Sequence, residues 1–257
     1  MLGAISGDVL GSIYEFDNDK SVDFELFNKS CKYTDDTVLT IATADCLLHK
    51  GDFAQYYKRY FLDYPDRGYG GNFKRWGSGS SMAPYNSWGN GSAMRVSPVG
   101  FAFDSLELVL INSKKSAEVT HSHAEGIKGA QAVASAIFMA KNGSSKKDIK
   151  EFIESRFYYN LNKTLDEIRP FYNFDESCQG SVPQAITAFL ESDGFEDSIR
   201  KAISIGGDSD TIACITGGIA ESYFGGVPED ISNFVLSKLD KKFLDIINEF
   251  YKIFINR

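Results

Sequence analysis

Two short acidic stretches, far apart in the chain, hold the residue types with the clearest capacity for chemistry. They read Thr34-Asp35-Asp36-Thr37 and Gly207-Asp208-Ser209-Asp210-Thr211. Carboxylate and hydroxyl oxygens at this density are the ligands that Mg²⁺, Mn²⁺ and Ca²⁺ take in proteins. The two stretches therefore indicate a site for a hard divalent cation.

Each acidic stretch is followed at once by apolar residues at helical spacing, which places both groups of carboxylates at helix N-termini. Ordinary N-capping is the alternative interpretation, although one Asp, Ser or Thr per helix is enough for a cap. If the two stretches meet in the fold, their charges repel one another strongly unless cations lie between them. We therefore favour a shared site for one or two metal ions.

The elements that would position these side chains are predicted to be helices. Apolar residues recur at three- and four-residue spacing in several segments, and convincing period-two alternation is scarce. The segments are 36–49, 116–141, 145–156, 183–192, 196–204, 210–224 and 229–250. The region 64–100 lacks this periodicity and is rich in Gly, Ser, Pro, Asn and aromatic residues, so we expect a long functional loop there.

A glycine-rich segment within this loop is the second candidate for chemistry. It reads Ser87-Trp88-Gly89-Asn90-Gly91-Ser92-Ala93-Met94-Arg95. Glycines let backbone N–H groups approach an anion closely, and Trp88 or Tyr85 could cover a flat ring. A plain turn is the alternative, since no Gly-Lys-Ser/Thr follows as in a Walker A sequence. Arg95 could pair with a phosphate or form a buried structural ion pair.

Two histidines and one cysteine are weaker candidates. His121 and His123 are two residues apart, so on a helix they face different sides and a shared zinc site is not expected. Either histidine could contact a ligand, lie in solvent, or be buried with its ring nitrogens hydrogen-bonded inside the protein. Cys178, in an acidic turn at 175–180, has no obvious base nearby in sequence, so we interpret it as a packed thiol.

Composition narrows the class of protein. With 257 residues, 43% of them hydrophobic, the chain can bury a sizeable core and is expected to form one domain over residues 1–257 and to be a monomer. The formal charge of −8 argues against nucleic-acid binding through bulk electrostatics. Four scattered cysteines indicate neither zinc nor disulfides, which favours the reduced cytoplasm. No run approaches the roughly 18 apolar residues of a membrane span, so neither membrane insertion nor export is expected.

Five motifs follow one another along the chain in a characteristic order. They are Gly3-Ala4-Ile5-Ser6-Gly7-Asp8-Val9-Leu10-Gly11-Ser12-Ile13-Tyr14-Glu15, Tyr33-Thr34-Asp35-Asp36-Thr37, Trp88-Gly89-Asn90-Gly91-Ser92-Ala93-Met94-Arg95, Thr120-His121 and Gly206-Gly207-Asp208-Ser209-Asp210-Thr211. Each motif alone is modest evidence, whereas the five in this order are highly specific. Along nearly its whole length the chain resembles the ADP-ribosylglycohydrolase family, the group of (ADP-ribosyl)hydrolases and dinitrogenase-reductase-activating glycohydrolases.

This resemblance implies an all-α fold, a compact single-domain helical bundle with a metal-containing cleft. It implies a centre of two Mg²⁺ ions at the bottom of the cleft, with Mn²⁺ as the alternative ion. The metal-binding residues that it implies are Thr34, Asp35, Asp36, Asp208, Asp210 and Thr211. Asp8 is expected to support these residues without touching metal.

The resemblance also implies roles around the metal ions. Glu15 matches an acidic position that helps to position or activate water in some relatives, so Glu15 and Asp35 are the expected catalytic residues. Trp88 stands where relatives commonly have a tyrosine against the ligand. The substrate-binding residues are expected to be His121, which would contact ADP-ribose, and the loop that would wrap its diphosphate, namely Ser87, Trp88, Gly89, Asn90, Gly91 and Ser92.

The expected function is therefore Mg²⁺-dependent hydrolysis of the glycosidic bond that links ADP-ribose to an acceptor, releasing ADP-ribose. Breaking a bond at the anomeric carbon needs a rigidly held ribose and a water delivered to one face. The acceptor could be a protein side chain such as arginine or serine, with arginine as the first choice. Two alternatives stay open: a catalytically silent ADP-ribose-binding module, and a hydrolase of a small ADP-ribosylated metabolite or base.

Overall fold

Fifteen α-helices and a final π-helical turn make up most of residues 1–255, the part of the chain that this computed structural model describes. Within these residues the backbone forms no sheet, only one isolated bridge between Gly89 and Ser177. The predicted all-α fold is confirmed. The helices are α1 Leu2–Gly11, α2 Asp35–Leu48, α3 Phe53–Asp63, α4 Gly71–Ser78, α5 Gly91–Met94, α6 Ser97–Ala102, α7 Leu106–Glu118, α8 Ala124–Lys141, α9 Lys146–Phe157, α10 Leu165–Ile168, α11 Cys178–Glu191, α12 Phe195–Ile203, α13 Ser209–Phe224, α14 Glu229–Leu236 and α15 Lys241–Phe250, with the π turn at Tyr251–Ile255.

Helix α13 lies at the centre of the bundle. Its residues are buried from Ser209 to Glu221, and it packs against α1, α8, α11 and α12. A helix that is enclosed on all sides needs apolar or small residues around its whole circumference. Because the second acidic stretch begins this helix, its carboxylates are carried into the interior of the protein. Helix α2, which begins with the first acidic stretch, packs against α1, α3 and α15.

Three glycines let α1 pack directly on the backbone of α13. Gly3, Gly7 and Gly11 are spaced four residues apart and so lie on one face of α1. A Cβ at Gly7 would lie 2.0 Å from the carbonyl oxygen of Ala213, and a Cβ at Gly11 would lie 2.6 Å from Cα of Asp210. Close packing here brings Asp8 of α1 next to the starts of α2 and α13.

We expect Gly7→Ala to lower the free energy of unfolding by about 3 kcal/mol, because extra atoms in a well-packed contact force the backbone apart. Gly194→Ala is the matched control, since a Cβ there meets nothing within 4 Å. Urea denaturation of both variants measures the difference. Equal denaturation midpoints would contradict the close contact of α1 with α13.

Three segments differ from the helices expected from periodicity. The expected helix 116–141 is interrupted at 119–123, between α7 and α8. The segment 229–250 is divided into α14 and α15, because Asp240 caps a new helix by accepting a hydrogen bond from the backbone of Phe243. The region 64–100 is not one long loop, since it contains α4, α5 and most of α6.

Membrane-spanning helices and the state of the cysteines bear on the predicted cellular location. No helix within residues 1–255 is both long enough and apolar enough to cross a bilayer. Cys31, Cys46, Cys178 and Cys214 are all buried and unpaired. Cytoplasmic location stays a prediction.

Candidate metal centre and ligand cleft

The two acidic stretches meet at the N-termini of two helices. Thr34 is the N-cap of α2, where its side chain accepts a hydrogen bond from the backbone N–H of Asp36. Asp208 is the N-cap of α13. The hydroxyl of Thr211 donates to Oδ1 of Asp36 at 3.3 Å, which joins the two stretches directly. Both helix dipoles therefore point their positive ends at the same group of carboxylates.

All six residues that the resemblance assigns to metal line one cleft with a volume of about 510 Å³. Asp36, Asp208 and Asp210 are almost fully buried, with exposed fractions of 3%, 6% and 3%. Oδ2 of Asp36 is buried without any hydrogen-bond partner in the described part of the chain. A buried carboxylate oxygen that no donor reaches is costly in a folded protein unless a cation occupies the space in front of it.

Burial and mutual repulsion dominate the electrostatics of these carboxylates. Burial is the largest cause that raises the pKa of Asp35, Asp36 and Asp210 well above its ordinary value. The next cause is charge on neighbouring carboxylates: Asp8 acts on Asp35 and Asp36, and Asp208 acts on Asp210. A bound divalent cation would compensate this repulsion. The donor set, carboxylate and hydroxyl oxygens only, fits Mg²⁺ or Mn²⁺ better than a softer ion.

Glu15 lies beside the same group. One carboxylate oxygen from each of Glu15, Asp208 and Asp210 lies within 4.8 Å of the others. Burial, followed by the charges of Asp208 and Asp8, raises the pKa of Glu15 to about 7. Glu15 is only partly buried, so it faces the open part of the cleft, where a water molecule and a substrate can enter.

Asp8 organises the start of α2 from behind. Its buried carboxylate accepts hydrogen bonds from the backbone of Thr34 at 3.0 Å, the hydroxyl of Thr34 at 2.7 Å and the backbone of Thr37 at 3.0 Å. Asp8 is not among the residues that line the cleft. This position matches the expected supporting role.

Asn18 is a positioning residue that sequence reasoning missed. Its side-chain amide donates to the carbonyl oxygens of Glu15 at 3.0 Å and Gly207 at 3.1 Å. Its Oδ1 accepts from the backbone N–H of Gly207 at 2.7 Å. Asn18 thus ties the segment that carries Glu15 to the turn before Asp208. An isolated Asn in a loop has no sequence signal for such a role.

The glycine-rich segment forms another wall of the cleft. Ser87, Trp88, Gly89, Asn90 and Gly91 line it. The wall is held by backbone pairing, since Trp88 accepts a hydrogen bond from the N–H of Cys178 at 3.0 Å.

Asn90 connects this wall to the acidic group. Its side-chain amide donates to Oδ2 of Asp208 at 2.6 Å and to the hydroxyl of Ser181 at 2.9 Å. The loop and the carboxylates therefore belong to one site.

Two loop residues differ from the others in position. The side chain of Trp88 is 47% exposed, at the rim of the cleft. Ser92 is fully buried and does not line the cleft, because its hydroxyl donates to the carbonyl oxygen of Gly126 at 2.7 Å. The expectation that Ser92 contacts substrate does not match this position. Its hydroxyl instead anchors the loop to α8.

His121 lines the cleft, whereas His123 does not. The side chain of His123 caps α8 by accepting a hydrogen bond from the backbone of Glu125 at 3.1 Å. His121 is buried, and burial together with the charge of Arg95 lowers its pKa well below the ordinary value. His121 is therefore a neutral ring near neutral pH, able to donate or accept hydrogen bonds.

Arg95 is fully buried at the back of the cleft. One of its terminal nitrogens donates to the carbonyl oxygen of Ser116 and to the hydroxyl of Thr120, each at 2.8 Å, and its guanidinium carbon lies 4.2 Å from the ring centre of Tyr57. Nε and Nη1 have no hydrogen-bond partner within residues 1–255. The structural ion pair considered for Arg95 is not formed with any described carboxylate. Its charge is therefore stabilised by these two hydrogen bonds and the ring of Tyr57 rather than by an ion pair.

Several aromatic and small residues complete the cleft and were not singled out from sequence. The loop region before the glycine-rich segment could have pointed to some of them, since long irregular loops often carry function. They include Phe16, Gly68, Asn72 and Phe174. Tyr85, which the sequence offered as a cover for a flat ring, lines the cleft as well.

A sequence profile described as ADP-ribosylglycohydrolase matches residues 1–254. The chain belongs to the ADP-ribosylglycohydrolase family. It is therefore an enzyme of the glycosidase-type hydrolase class. The resemblance drawn from the five motifs is confirmed, and the family assignment covers the acidic stretches, the glycine-rich loop and the buried histidine together.

Several proteins are similar to this chain over most of its length. ADP-ribosylhydrolase ARH3 of Mus musculus is 28% identical, with 89% of this chain and 84% of that protein covered. An uncharacterized protein of Archaeoglobus fulgidus is 30% identical, with 83% and 78% covered. ADP-ribosylarginine hydrolase Tri1 of Pseudomonas putida is 24% identical, with 90% and 71% covered.

A solved structure supports the same architecture. It is described as an ADP-ribosylglycohydrolase-related protein complex and superposes with a TM-score of 0.76 at 22% identity. The superposition covers 98% of this chain and 96% of that one. At this identity the likeness concerns the fold.

Proposed function

We propose that this member of the ADP-ribosylglycohydrolase family is a metal-dependent hydrolase that cleaves the glycosidic bond between ADP-ribose and an acceptor. One observation carries the proposal: a cluster of oxygen ligands and a glycine-rich loop line the same cleft and are joined through Asn90 and Asp208. ADP-ribose combines a diphosphate with a ribose whose hydroxyls can face a metal ion. A cavity of this size is in the usual range for such a ligand.

Mg²⁺ is the proposed cofactor, as two ions, with Mn²⁺ as the alternative. Thr34, Asp35 and Asp36 would hold the ions from α2, and Asp208, Asp210 and Thr211 would hold them from α13. The unpartnered Oδ2 of Asp36 supports this assignment. Such ions, when bound, would lower the pKa of a water molecule and hold the ribose hydroxyls in a fixed position.

Glu15 is the proposed proton acceptor. In the reaction a water oxygen bonds to the anomeric carbon of the ribose while the bond to the acceptor breaks. The acceptor leaves with the bonding electron pair and gains a proton, and the attacking water loses one. The carboxylate of Glu15 faces the cleft and can take that proton. Asp35 is the second candidate for this role, because its side chain also lines the cleft beside Gly68. The carboxylates on α13 are then ligands rather than bases.

The glycine-rich wall is proposed to bind the diphosphate. Backbone N–H groups around Gly89 and Gly91 can approach phosphate oxygens closely because no side chain intervenes. The guanidinium of Arg95, which within residues 1–255 has no carboxylate partner and two unpartnered nitrogens, also lines the cleft and would raise the positive potential where the phosphates would lie. Trp88, at the rim, could cover a flat ring of the substrate.

Gly126→Ala is expected to weaken binding of ADP-ribose about ten-fold or more, because small misplacements of binding groups are costly. A Cβ at Gly126 would lie 2.7 Å from the carbonyl oxygen of Ser87 and 2.9 Å from Cβ of His121, so both residues must move. Calorimetry with ADP-ribose measures the effect. Gly194→Ala is the control, because a Cβ at that position meets no atom within 4 Å, and it should bind ADP-ribose with the affinity of the wild type. If the two variants bind ADP-ribose with equal affinity, Ser87 and His121 do not contribute to the proposed binding site.

The acceptor is the open part of the proposal. The Pseudomonas putida relative is named an ADP-ribosylarginine hydrolase, which makes arginine-linked ADP-ribose the first substrate to test. The substrate could be a modified protein or a small molecule, and the enzyme is proposed to act as a monomer. A panel of arginine-, serine- and base-linked ADP-ribose, analysed by mass spectrometry with Mg²⁺ present, tests the function.

Release from one linkage, abolished by Asp210→Ala, would support the hydrolase and identify its acceptor. Binding of ADP-ribose without release from any linkage would contradict the hydrolase and favour a silent binding module or an untested small-molecule substrate.

A further inference from the structure

His121 is the terminal member of a buried chain of three polar side chains. Nδ1 of His121 lies 2.8 Å from the hydroxyl oxygen of Thr120. The same oxygen accepts a hydrogen bond from Nη2 of Arg95, also at 2.8 Å. The exposed fractions of Arg95, Thr120 and His121 are 0%, 0% and 4%. The contact between Thr120 and Nδ1 of His121 is buried, so on this side of the ring the protons are shared among these groups and their immediate neighbours.

The number of protons limits how the chain can be arranged. A guanidinium has only donors, whereas a hydroxyl has one proton and two lone pairs. Arg95 occupies one lone pair of the Thr120 oxygen. The hydroxyl can then donate its proton to Nδ1 of His121, which leaves the proton of the neutral ring on Nε2.

A second arrangement would place the ring proton on Nδ1. In that case Nδ1 donates to the remaining lone pair of Thr120, and the hydroxyl proton turns to Tyr85, which also interacts with Thr120. The charge of Arg95 discriminates between the two arrangements. A neutral imidazole has its negative end at the unprotonated nitrogen, so a nearby cation favours the lone pair on the nitrogen that faces it. Nδ1 is that nitrogen, since it shares the oxygen of Thr120 with Arg95, and Arg95 forms no ion pair with a described carboxylate.

The other ring nitrogen faces the ligand wall. A Cβ at Gly91 would lie 3.1 Å from Nε2, and a Cβ at Gly89 would lie 3.7 Å from it. Because both positions are glycine, this space is available to a ligand. An anionic oxygen there would be repelled by a lone pair on Nε2 and attracted by an N–H.

We propose that Arg95 and Thr120 are positioning residues that hold His121 as the tautomer with its proton on Nε2. His121 then donates a hydrogen bond to an anionic oxygen of a ligand that lies on the loop between Gly89 and Gly91. The identity of that oxygen as a diphosphate oxygen rests on the proposed function. The tautomer itself does not depend on it.

Nitrogen-15 NMR of the full-length protein labelled at histidine tests the tautomer directly. The chain has three histidines, so His49→Gln and His123→Asn variants assign the signals of His121. Thr120→Val removes the hydroxyl at similar shape, and Thr120→Ser keeps it. We expect wild type and Thr120→Ser to have Nε2 protonated and Nδ1 free between about pH 5.5 and 8, the range in which a histidine ordinarily titrates.

In Thr120→Val we expect a mixed or reversed tautomer of His121. An unchanged tautomer in Thr120→Val would overturn the proposal, as would a proton on Nδ1 in the wild type. The wild-type spectrum alone decides the second point even if the valine variant does not fold.

Calorimetry with ADP-ribose adds a functional readout. We expect binding to Thr120→Val to be about ten-fold weaker than to the wild type, and binding to Thr120→Ser to be within about two-fold of it, as for one hydrogen bond to a charged oxygen. If ADP-ribose binds both variants equally weakly, the hydroxyl of residue 120 does not position His121, and the proposal is overturned. A wild type that binds no ADP-ribose would contradict the proposed function, while the NMR spectra would still decide the tautomer.

Discussion

Asp36→Asn and Asp210→Asn are expected to stabilise the protein in EDTA and to abolish its activity in Mg²⁺. Without metal, each substitution removes a buried charge that is repelled by its neighbours. A gain of about 1 kcal/mol would raise the melting temperature by roughly 2–4 °C in a chain of this size. With Mg²⁺ present, the lost ligand is expected to lower the rate of hydrolysis about 10³-fold or more, since metal catalysis contributes several kcal/mol.

The control for these variants is Asp23→Asn, which changes an exposed carboxylate outside the cleft. It should leave both the melting temperature and the activity near wild type. Differential scanning calorimetry and ADP-ribose release measure the two effects. Destabilisation of Asp36→Asn and Asp210→Asn in EDTA would mean that these carboxylates stabilise the metal-free fold, which would contradict the electrostatic argument.

The same carboxylates predict how stability depends on pH in EDTA. Their pKa values are higher in the folded protein than in the unfolded chain, so the folded state binds more protons between the two values. Stability should therefore fall as pH rises from about 4 through the raised pKa values. We expect a shallower fall in Asp36→Asn than in the wild type. Identical pH profiles in the two proteins would contradict the raised pKa of Asp36.

Glu15→Gln is expected to lower kcat about 10²- to 10⁴-fold while the affinity for ADP-ribose changes little. The amide keeps the shape of the side chain but cannot take a proton, and a positioned general base contributes an effect of this size. Steady-state kinetics and calorimetry with ADP-ribose separate the two quantities. Glu107→Gln, an exposed change outside the cleft, is the matched control.

A Mg²⁺ titration distinguishes the proposed role of Glu15 from metal binding. Because Glu15 lies within 4.8 Å of Asp208 and Asp210, it could also serve as a ligand. We expect Mg²⁺ to bind Glu15→Gln nearly as well as the wild type. A loss of Mg²⁺ affinity as large as that in Asp210→Asn would make Glu15 a ligand and leave Asp35 as the base.

The acidic stretches illustrate what local sequence can predict. The helix expected at 36–49 is α2, Asp35–Leu48, and the helix expected at 210–224 is α13, Ser209–Phe224. Hydrophobic periodicity and an N-cap are local signals, so both helices and the carboxylates at their starts could be read directly. The argument about charge said only that cations must lie between the two stretches if they meet, and the contact of Thr211 with Asp36 shows that they do meet.

Helix α1 illustrates what local sequence obscures. Its three glycines lower the helix propensity by roughly 1 kcal/mol each, and the segment is not among the helices that periodicity predicts. The cause of the helix is tertiary, because only glycine allows α1 to approach α13 so closely. The same limit explains Asn18 and Ser92, whose roles depend on partners distant in sequence.

The metal requirement of hydrolysis tests the proposed metal centre most directly. The wild-type protein is freed of metal with EDTA, exchanged into buffer without chelator and titrated with Mg²⁺, while release of ADP-ribose from the preferred conjugate is followed by mass spectrometry. We expect no release before Mg²⁺ is added, full activity once the sites are filled, and no recovery in Asp36→Asn. Full activity in EDTA, or full recovery in Asp36→Asn, would contradict a metal centre built from the two acidic stretches.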